Sequence, residues 1–432
     1  MSIHDLYKIF LQFPSVETDT RKIKTGDIFF ALKGPNFNGN LYVKQAFDAG
    51  ASYCVCDEKA AIENENIIYT DDVLCTLQML AKHHREQFNN LPNGKKIPFI
   101  AITGSNGKTT TKELVHEVLS TTYKCYTTKG NLNNHIGIPL TLLSVKKDAE
   151  IVVIEMGANH LHEIESYCTY TKPTHGLITN CGKAHLEGFG GEEGVKKGKG
   201  ELYDYLAKTG GTIFINTDYD YLKEMSAAVE NKITYGSSNA AYTGIVKEDN
   251  HFLEIAITNG AAIDNIKTQL AGNYNLPNIM SAVCIGKTFG VPDEDIKDAL
   301  ENYVPSNSRS QIIKKETNTI LLDAYNANPS SMKAAIENFA TMAGENKIVI
   351  LGGMMELGED SIAEHKAVVD LLQKHAWHSV VLAGKDYEYL PENMVHFNTS
   401  LEVADWYKTQ DFKNSTILIK GSRGMAMEKV IE

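Results

Sequence analysis

Gly104, Gly107, Lys108 and Thr109 carry the first chemical signal, in the run TGSNGKTTTK. A glycine-rich turn that opens a helix can curl its backbone N–H groups around an anion. Lys108 can neutralise phosphate charge there, and the Thr109 hydroxyl can ligate Mg²⁺. The flanking elements fit. Phe99 to Ile102 reads as a short apolar strand, and Leu114, Val115, Val118 and Leu119 mark one face of the helix that follows. A full Walker loop has a glycine five positions before Gly107, where Ile102 stands, so this is a shortened variant. Strand, turn and helix start together point to nucleoside triphosphate binding. A plain Gly-rich turn capped by Thr109 would leave Lys108 without a task.

Other polar clusters follow apolar runs. Ile151 to Ile154 reads as a buried strand ending in Glu155, a carboxylate placed to hold Mg²⁺ directly or through water. Gly176 to Asn180 is a second such strand, and His185 lies just beyond it, a candidate ligand for a second metal. On composition, the run Lys196 to Glu201 reads as a solvated charged face. Asn133 and Asn134 sit in an amide-rich loop able to hydrogen-bond a sugar or peptide. Asn273, Tyr274, Asn275 and Asn278 could hold an adenine ring. Asp323 to Pro329, and Lys420 to Gly424 with its bidentate donor Arg423, end strands of the last third of the chain.

The bulk sequence sets limits. A chain of 432 residues is too long for one core. Its net charge of −12 argues against a nucleic-acid partner but not against a small anion held by local loops. The seven cysteines are scattered without zinc spacing, which points to buried, reduced thiols. No apolar run approaches a membrane span and no signal segment opens the chain, so a cytoplasmic protein without membrane insertion is expected. The turn-rich stretch from Asn89 to Lys96 reads as a linker. The expected architecture is α/β in three domains. These are a small α/β domain at 1–92, a central P-loop ATPase-like domain with a mostly parallel sheet at 93–306, and a Rossmann-like sheet at 307–432. Strands are expected at Thr319 to Leu322, Ile348 to Leu351, Val380 to Ala383 and Ile417 to Ile419.

The ordered set TGSNGKTTTK, GNLNNHIGIPLTLL, EMGAN, TNCGKAHLEGFG, KGKGEL, GNYNLPN, DAYNANPSSM, LGGMMELGE and KGSRGMAME resembles the Mur ligases over essentially the whole chain. The resemblance implies ATP-driven amide formation through an acyl phosphate, as a cytoplasmic step of peptidoglycan precursor synthesis. YNANP, NNHIGIP and KGSRGM resemble the branch whose partners are a UDP-N-acetylmuramoyl tripeptide and D-alanyl-D-alanine. Catalytic roles are implied for Lys108, His185 and Lys199, the last as a carbamylated lysine, which reverses the solvated-face reading. Gly104, Ser105, Asn106, Gly107, Lys108, Thr109, Thr110, Asn275, Asn278, Arg309 and Asp323 would bind ATP. Thr109, Glu155 and His185 would hold Mg²⁺, in two sites. Thr20, Arg21, Asn133, Asn134, Tyr325, Asn326, Ser422 and Arg423 would contact the substrates. The expected assembly is a monomer. Three positions depart from the usual pattern: Leu322, Gly353 and Asn38 stand where acids are common. Two other readings stay open, an amide ligase of the same superfamily with a different acceptor or amino acid, and a nucleotide-binding switch. Glu155, His185 and Lys199 argue against a switch.

Overall fold

The computed structural model describes residues 1–59, 62–89, 96–249, 252–306, 308–388 and 390–432. The linker expected from Asn89 to Lys96 falls mostly outside them, as do the boundary residues 92, 93 and 307.

Three main sheets follow one another along the chain. The first is parallel and runs in the order Val16–Glu17, Ile28–Phe30, Tyr53–Cys56, Ile67–Tyr69. Helix Val73–Glu86 leaves it and packs on the central unit. Arg85 clamps that junction. Its guanidinium lies 3.7 Å over the Phe99 ring and donates to the Thr171 and Lys172 carbonyls at 2.8 Å.

Among the described residues the central sheet has nine strands. Its middle strand for function, Phe99–Thr103, is fully buried, as the unbroken apolar run requires. It lies between Ile151–Glu155 and His175–Ile178, both parallel to it. Register sets Ile102 opposite Glu155 and Thr103 opposite Ile178, so three strands end at one edge. Helix Lys108–Ser120 buries Leu114, Val115, Val118 and Leu119 completely, each worth about 1.5–3 kcal/mol relative to exposure. The far side of the sheet carries antiparallel strands Leu253–Asn259 and Asn265–Lys267, which were not expected from the sequence.

The last sheet runs Gln311–Lys315, Asn318–Asp323, Thr416–Lys420, Ile348–Gly352, Ser379–Ala383, Met394–Phe397. The four expected strands are present. The sheet is nevertheless mixed, because Gln311–Lys315 pairs antiparallel at its edge. Asp323 lies opposite Lys420, so two polar loops leave this sheet side by side.

The cysteine expectation needs one correction. All seven are free, but Cys75 is exposed and Cys125 half-buried. No described helix is long and apolar enough to cross a membrane.

Candidate active site

A cavity of about 660 Å³ lies where the edges of the central and last sheets face each other. Its floor is the phosphate loop. Gly104 has φ +141°, and a Cβ there would stand 2.0 Å from the Thr179 hydroxyl. Gly107, at φ +79°, packs on the Asn278 amide, which a Cβ would meet at 2.6 Å. Only glycine fits both positions. No side chain caps the helix that begins at Lys108, so its first-turn N–H groups are left for an anion. Lys108 Nζ donates to the Gly104 and Ser105 carbonyls at 2.8 and 3.0 Å. Burial pushes this ammonium down to about 8, against the opposing pull of Glu155. An arriving phosphate would relieve that unfavourable charge.

Glu155 is 1% exposed. Its Oε1 accepts from Thr109 Oγ1 at 3.2 Å and from Asn133 Nδ2 at 2.7 Å, while Oε2 is buried with no partner. A buried carboxylate oxygen beside a hydroxyl is a donor set that suits a hard divalent cation. Among the described residues no group of three His, Cys, Asp or Glu gathers to hold a metal without further ligands.

Lys199 corrects the solvated-face reading of its run. It is 1% exposed, because Val195, Leu202 and Leu206 share its side of helix Glu192–Thr209. Its Nζ donates to the Ala158 carbonyl at 2.7 Å and lies 4.8 Å over the Phe189 ring. Burial, reinforced by the Lys108 charge, pushes it down to about 7. Such burial favours the neutral, nucleophilic amine over the ammonium.

The opposite wall comes from the last sheet. Asp323 Oδ2 accepts from Lys420 Nζ at 2.6 Å, and its Oδ1 accepts from the Ser310 N–H at 3.1 Å. The Arg309 guanidinium stacks 3.6 Å over the Tyr325 ring, with Arg423 at 5.8 Å. Side-chain pairs join the walls. Asn328 Nδ2 donates to Asn106 Oδ1 at 2.7 Å, Lys183 Nζ donates to Glu364 at 2.7 Å, and His185 Nδ1 pairs with Glu356.

Most candidate residues meet here: Ser105 to Thr110, Asn133, Asn134, Glu155, His185, Asn275, Asn278, Arg309, Asp323, Tyr325 and Asn326 all line the cavity. The Asn275 and Asn278 amides are tied into a chain behind the loop, since Asn278 Nδ2 donates to Asn275 Oδ1 at 2.9 Å and Thr111 Oγ1 donates to Asn278 Oδ1 at 3.1 Å. Six candidates are outside the lining: Gly104 lies within the loop, Lys199 is buried against the Ala158 carbonyl, and four lie elsewhere. Ser422 is 1% exposed, and its buried hydroxyl has no hydrogen-bond partner among the described residues. Arg423 is exposed and pairs with Glu428 at 3.0 Å. Thr20 and Arg21 belong to the first unit, where Arg21 is exposed and paired with Asp19 at 2.8 Å. Asn180, Asn328, Glu356 and Lys420 also take part, and none carried a role of its own in the sequence. Each lies in a strand-end motif already noted, but their tasks depend on contacts far apart in sequence. Asn180 accepts from the Ser105 and Asn106 N–H groups at 2.8 and 3.1 Å.

A phosphate loop, a buried carboxylate with a free oxygen and a cavity closed by a separate α/β unit define a P-loop enzyme that uses a nucleotide between two walls. Sequence comparison resolves the class further. The Mur ligase middle domain matches residues 102–286, the Mur ligase glutamate ligase domain 308–423, and the Mur ligase family catalytic domain 13–86. A UDP-N-acetylmuramoyl-tripeptide--D-alanyl-D-alanine ligase of Bacillus subtilis (strain 168) is 34% identical, over 96% of this chain and 92% of its own length. Among solved structures, MurF from Acinetobacter baumannii superposes with a TM-score of 0.86 at 29% identity, covering 96% of this chain and 92% of that one. The MurF ligase from Thermotoga maritima in complex with ADP superposes at 0.85 with 25% identity, covering 98% and 97%. The chain belongs to the Mur ligase family.

Proposed function

We propose that this chain joins the terminal carboxylate of UDP-N-acetylmuramoyl-tripeptide to the amine of D-alanyl-D-alanine with ATP, as a cytoplasmic step of peptidoglycan precursor synthesis. The reading is carried by the cavity in which the phosphate loop, Glu155, His185 and the YNANP loop meet. It is supported by the names of the relatives and by the ADP held in the Thermotoga maritima neighbour.

A carboxylate is a poor electrophile, because oxide would have to leave. Its attack on the γ-phosphorus displaces ADP and forms an acyl phosphate, and the amine then attacks the carbonyl carbon and displaces phosphate. The protein's task is alignment and charge neutralisation. Lys108 and the N–H groups of the loop would hold the β- and γ-phosphates. Asn275, Asn278, Arg309 and Asp323 would border the nucleoside, and Tyr325 and Asn326 the incoming dipeptide. Asn133 and Asn134 would hydrogen-bond the acceptor, whose UDP part Thr20 and Arg21 would hold in the first unit. In this reading the domains divide at 92/93 and 306/307 and act as acceptor-, ATP- and dipeptide-binding parts of a monomer. Thr109 with Glu155, and His185 on the acceptor side, would hold Mg²⁺, which neutralises phosphate charge when bound. Lys199, buried and partly neutral, suits carbamylation, which would turn a cation into an anionic oxygen ligand.

The test is phosphate release with ATP and the UDP-muramoyl tripeptide. D-Ala-D-Ala should stimulate it strongly and single amino acids should not. Equal stimulation by a single amino acid would assign the chain to another amide ligase.

A further inference from the structure

The contact between His185 and Glu356 has features that simple surface pairing does not explain. His185 follows the central strand His175–Ile178, and Glu356 lies in the loop after Ile348–Gly352 of the last sheet. The two residues are 171 positions apart. Both hold left-handed backbone conformations, His185 at φ +54° and Glu356 at φ +62°. Neither is glycine, and non-glycine residues in this region cluster where the surroundings enforce a local geometry. The loop around Glu356 is fitted to the partner element as well. Gly358, at φ +57°, lies where a Cβ would touch the Glu187 side chain at 3.4 Å.

The orientation of the ring is specific. His185 lines the cavity and Glu356 does not. The carboxylate takes Nδ1, and among the described residues Nε2 has no hydrogen-bond partner. In the neutral ring a carboxylate on one nitrogen places the proton there, leaving the lone pair on the other. It also makes that second nitrogen a better donor to a cation, the arrangement common behind metal-ligating histidines.

We infer that Glu356 is a positioning residue for His185, fixing its Nδ1–H tautomer so that Nε2 is a ready cation ligand only when the last unit is docked. The inference rests on the proposed role of His185 at a second Mg²⁺. It adds that metal binding and docking of the dipeptide-bearing unit are linked. By reciprocity, whatever favours one favours the other.

The experiment has two readouts on the full-length protein. The first is the ¹⁵N spectrum of the histidines without metal or nucleotide, with His185 assigned by its loss in His185→Gln. The parent should show Nδ1 protonated and Nε2 bare, and Glu356→Ala should show a mixture of tautomers. The second is Mn²⁺ titration with ATP present. Glu356→Ala should weaken one of two binding phases by roughly 10–100-fold. Glu356→Gln, whose amide oxygen can still accept from Nδ1–H, should keep the tautomer and recover part of the affinity. An unchanged tautomer in Glu356→Ala overturns the inference. So does an unchanged Mn²⁺ isotherm. The tautomer readout needs no turnover, so a failure of the proposed ligase activity would be seen separately.

Discussion

The two walls of the cavity are built in different ways. The central wall is internal to one sheet. Lys199 is buried and Lys108 half-buried, both held by backbone carbonyls of the same unit, and Glu155 is buried among Thr109, Asn133 and the Thr128 hydroxyl that binds its N–H at 3.0 Å. The other wall meets it through side chains. Lys183–Glu364 and His185–Glu356 are partly exposed pairs, and Asn106–Asn328 joins a half-buried amide to a buried one. Buried groups held by backbone keep their geometry, whereas exposed pairs are weak and reversible. The phosphate site is therefore the more firmly built of the two walls, and the links to the other wall are the weaker ones. That suits an enzyme that must close over one substrate after another.

This contrast predicts that damage to the central wall lowers kcat, and damage to the contact wall acts mainly on KM. The largest effect should come from Lys108→Ala, a loss of about a thousandfold in turnover with an unchanged circular dichroism spectrum. Near-normal turnover would remove the phosphate loop from the chemistry. Lys199→Ala should follow, with a loss of roughly a hundredfold that short carboxylic acids partly restore. Lys199 also has a thermodynamic signature. Its folded value, about 7, lies below that of an unfolded lysine, about 10.4. The burial cost of the protonated form is then fully present below about pH 7 and fades as pH rises toward the unfolded value. Lys199→Met should raise Tm relative to the parent more at about pH 6 than at about pH 9. Measured in CO₂-free buffer, where the amine is not carbamylated, a pH-independent difference would place this lysine in water.

On the contact wall, Asn328→Ala removes the cap of helix Pro329–Thr341 and the bond to Asn106 together. It should cost about 1 kcal/mol of stability and raise the ATP KM with little change in kcat. The smallest effect belongs to Lys183→Met. Its ion pair with Glu364 is partly exposed and worth at most about 1 kcal/mol, so KM should rise only a few-fold. A kcat loss in either variant comparable to that of Lys108→Ala would erase the distinction between the walls.

The central wall was also the more legible one. The apolar strands, the glycine turn and the helix face at Leu114 to Leu119 are local patterns, and they place Lys108, Thr109 and Glu155 at one sheet edge. Lys199 misled on composition alone, although its spacing from Val195, Leu202 and Leu206 carries the sign of burial. The contact wall was less readable. Which of the polar residues in LGGMMELGE or YNANP turns toward the phosphate loop depends on how two units pack, and no local period records that. Ser422 shows the same limit, since its loop is readable in the sequence but the burial of its hydroxyl is not.

The central claim is that this cavity activates a carboxylate by phosphorylation. It is tested most directly with the UDP-muramoyl tripeptide labelled with ¹⁸O in its terminal carboxylate, together with ATP and D-Ala-D-Ala. The released phosphate should carry one ¹⁸O for each amide bond formed. Unlabelled phosphate would mean that ATP is hydrolysed by water, and the acyl-phosphate account would fail.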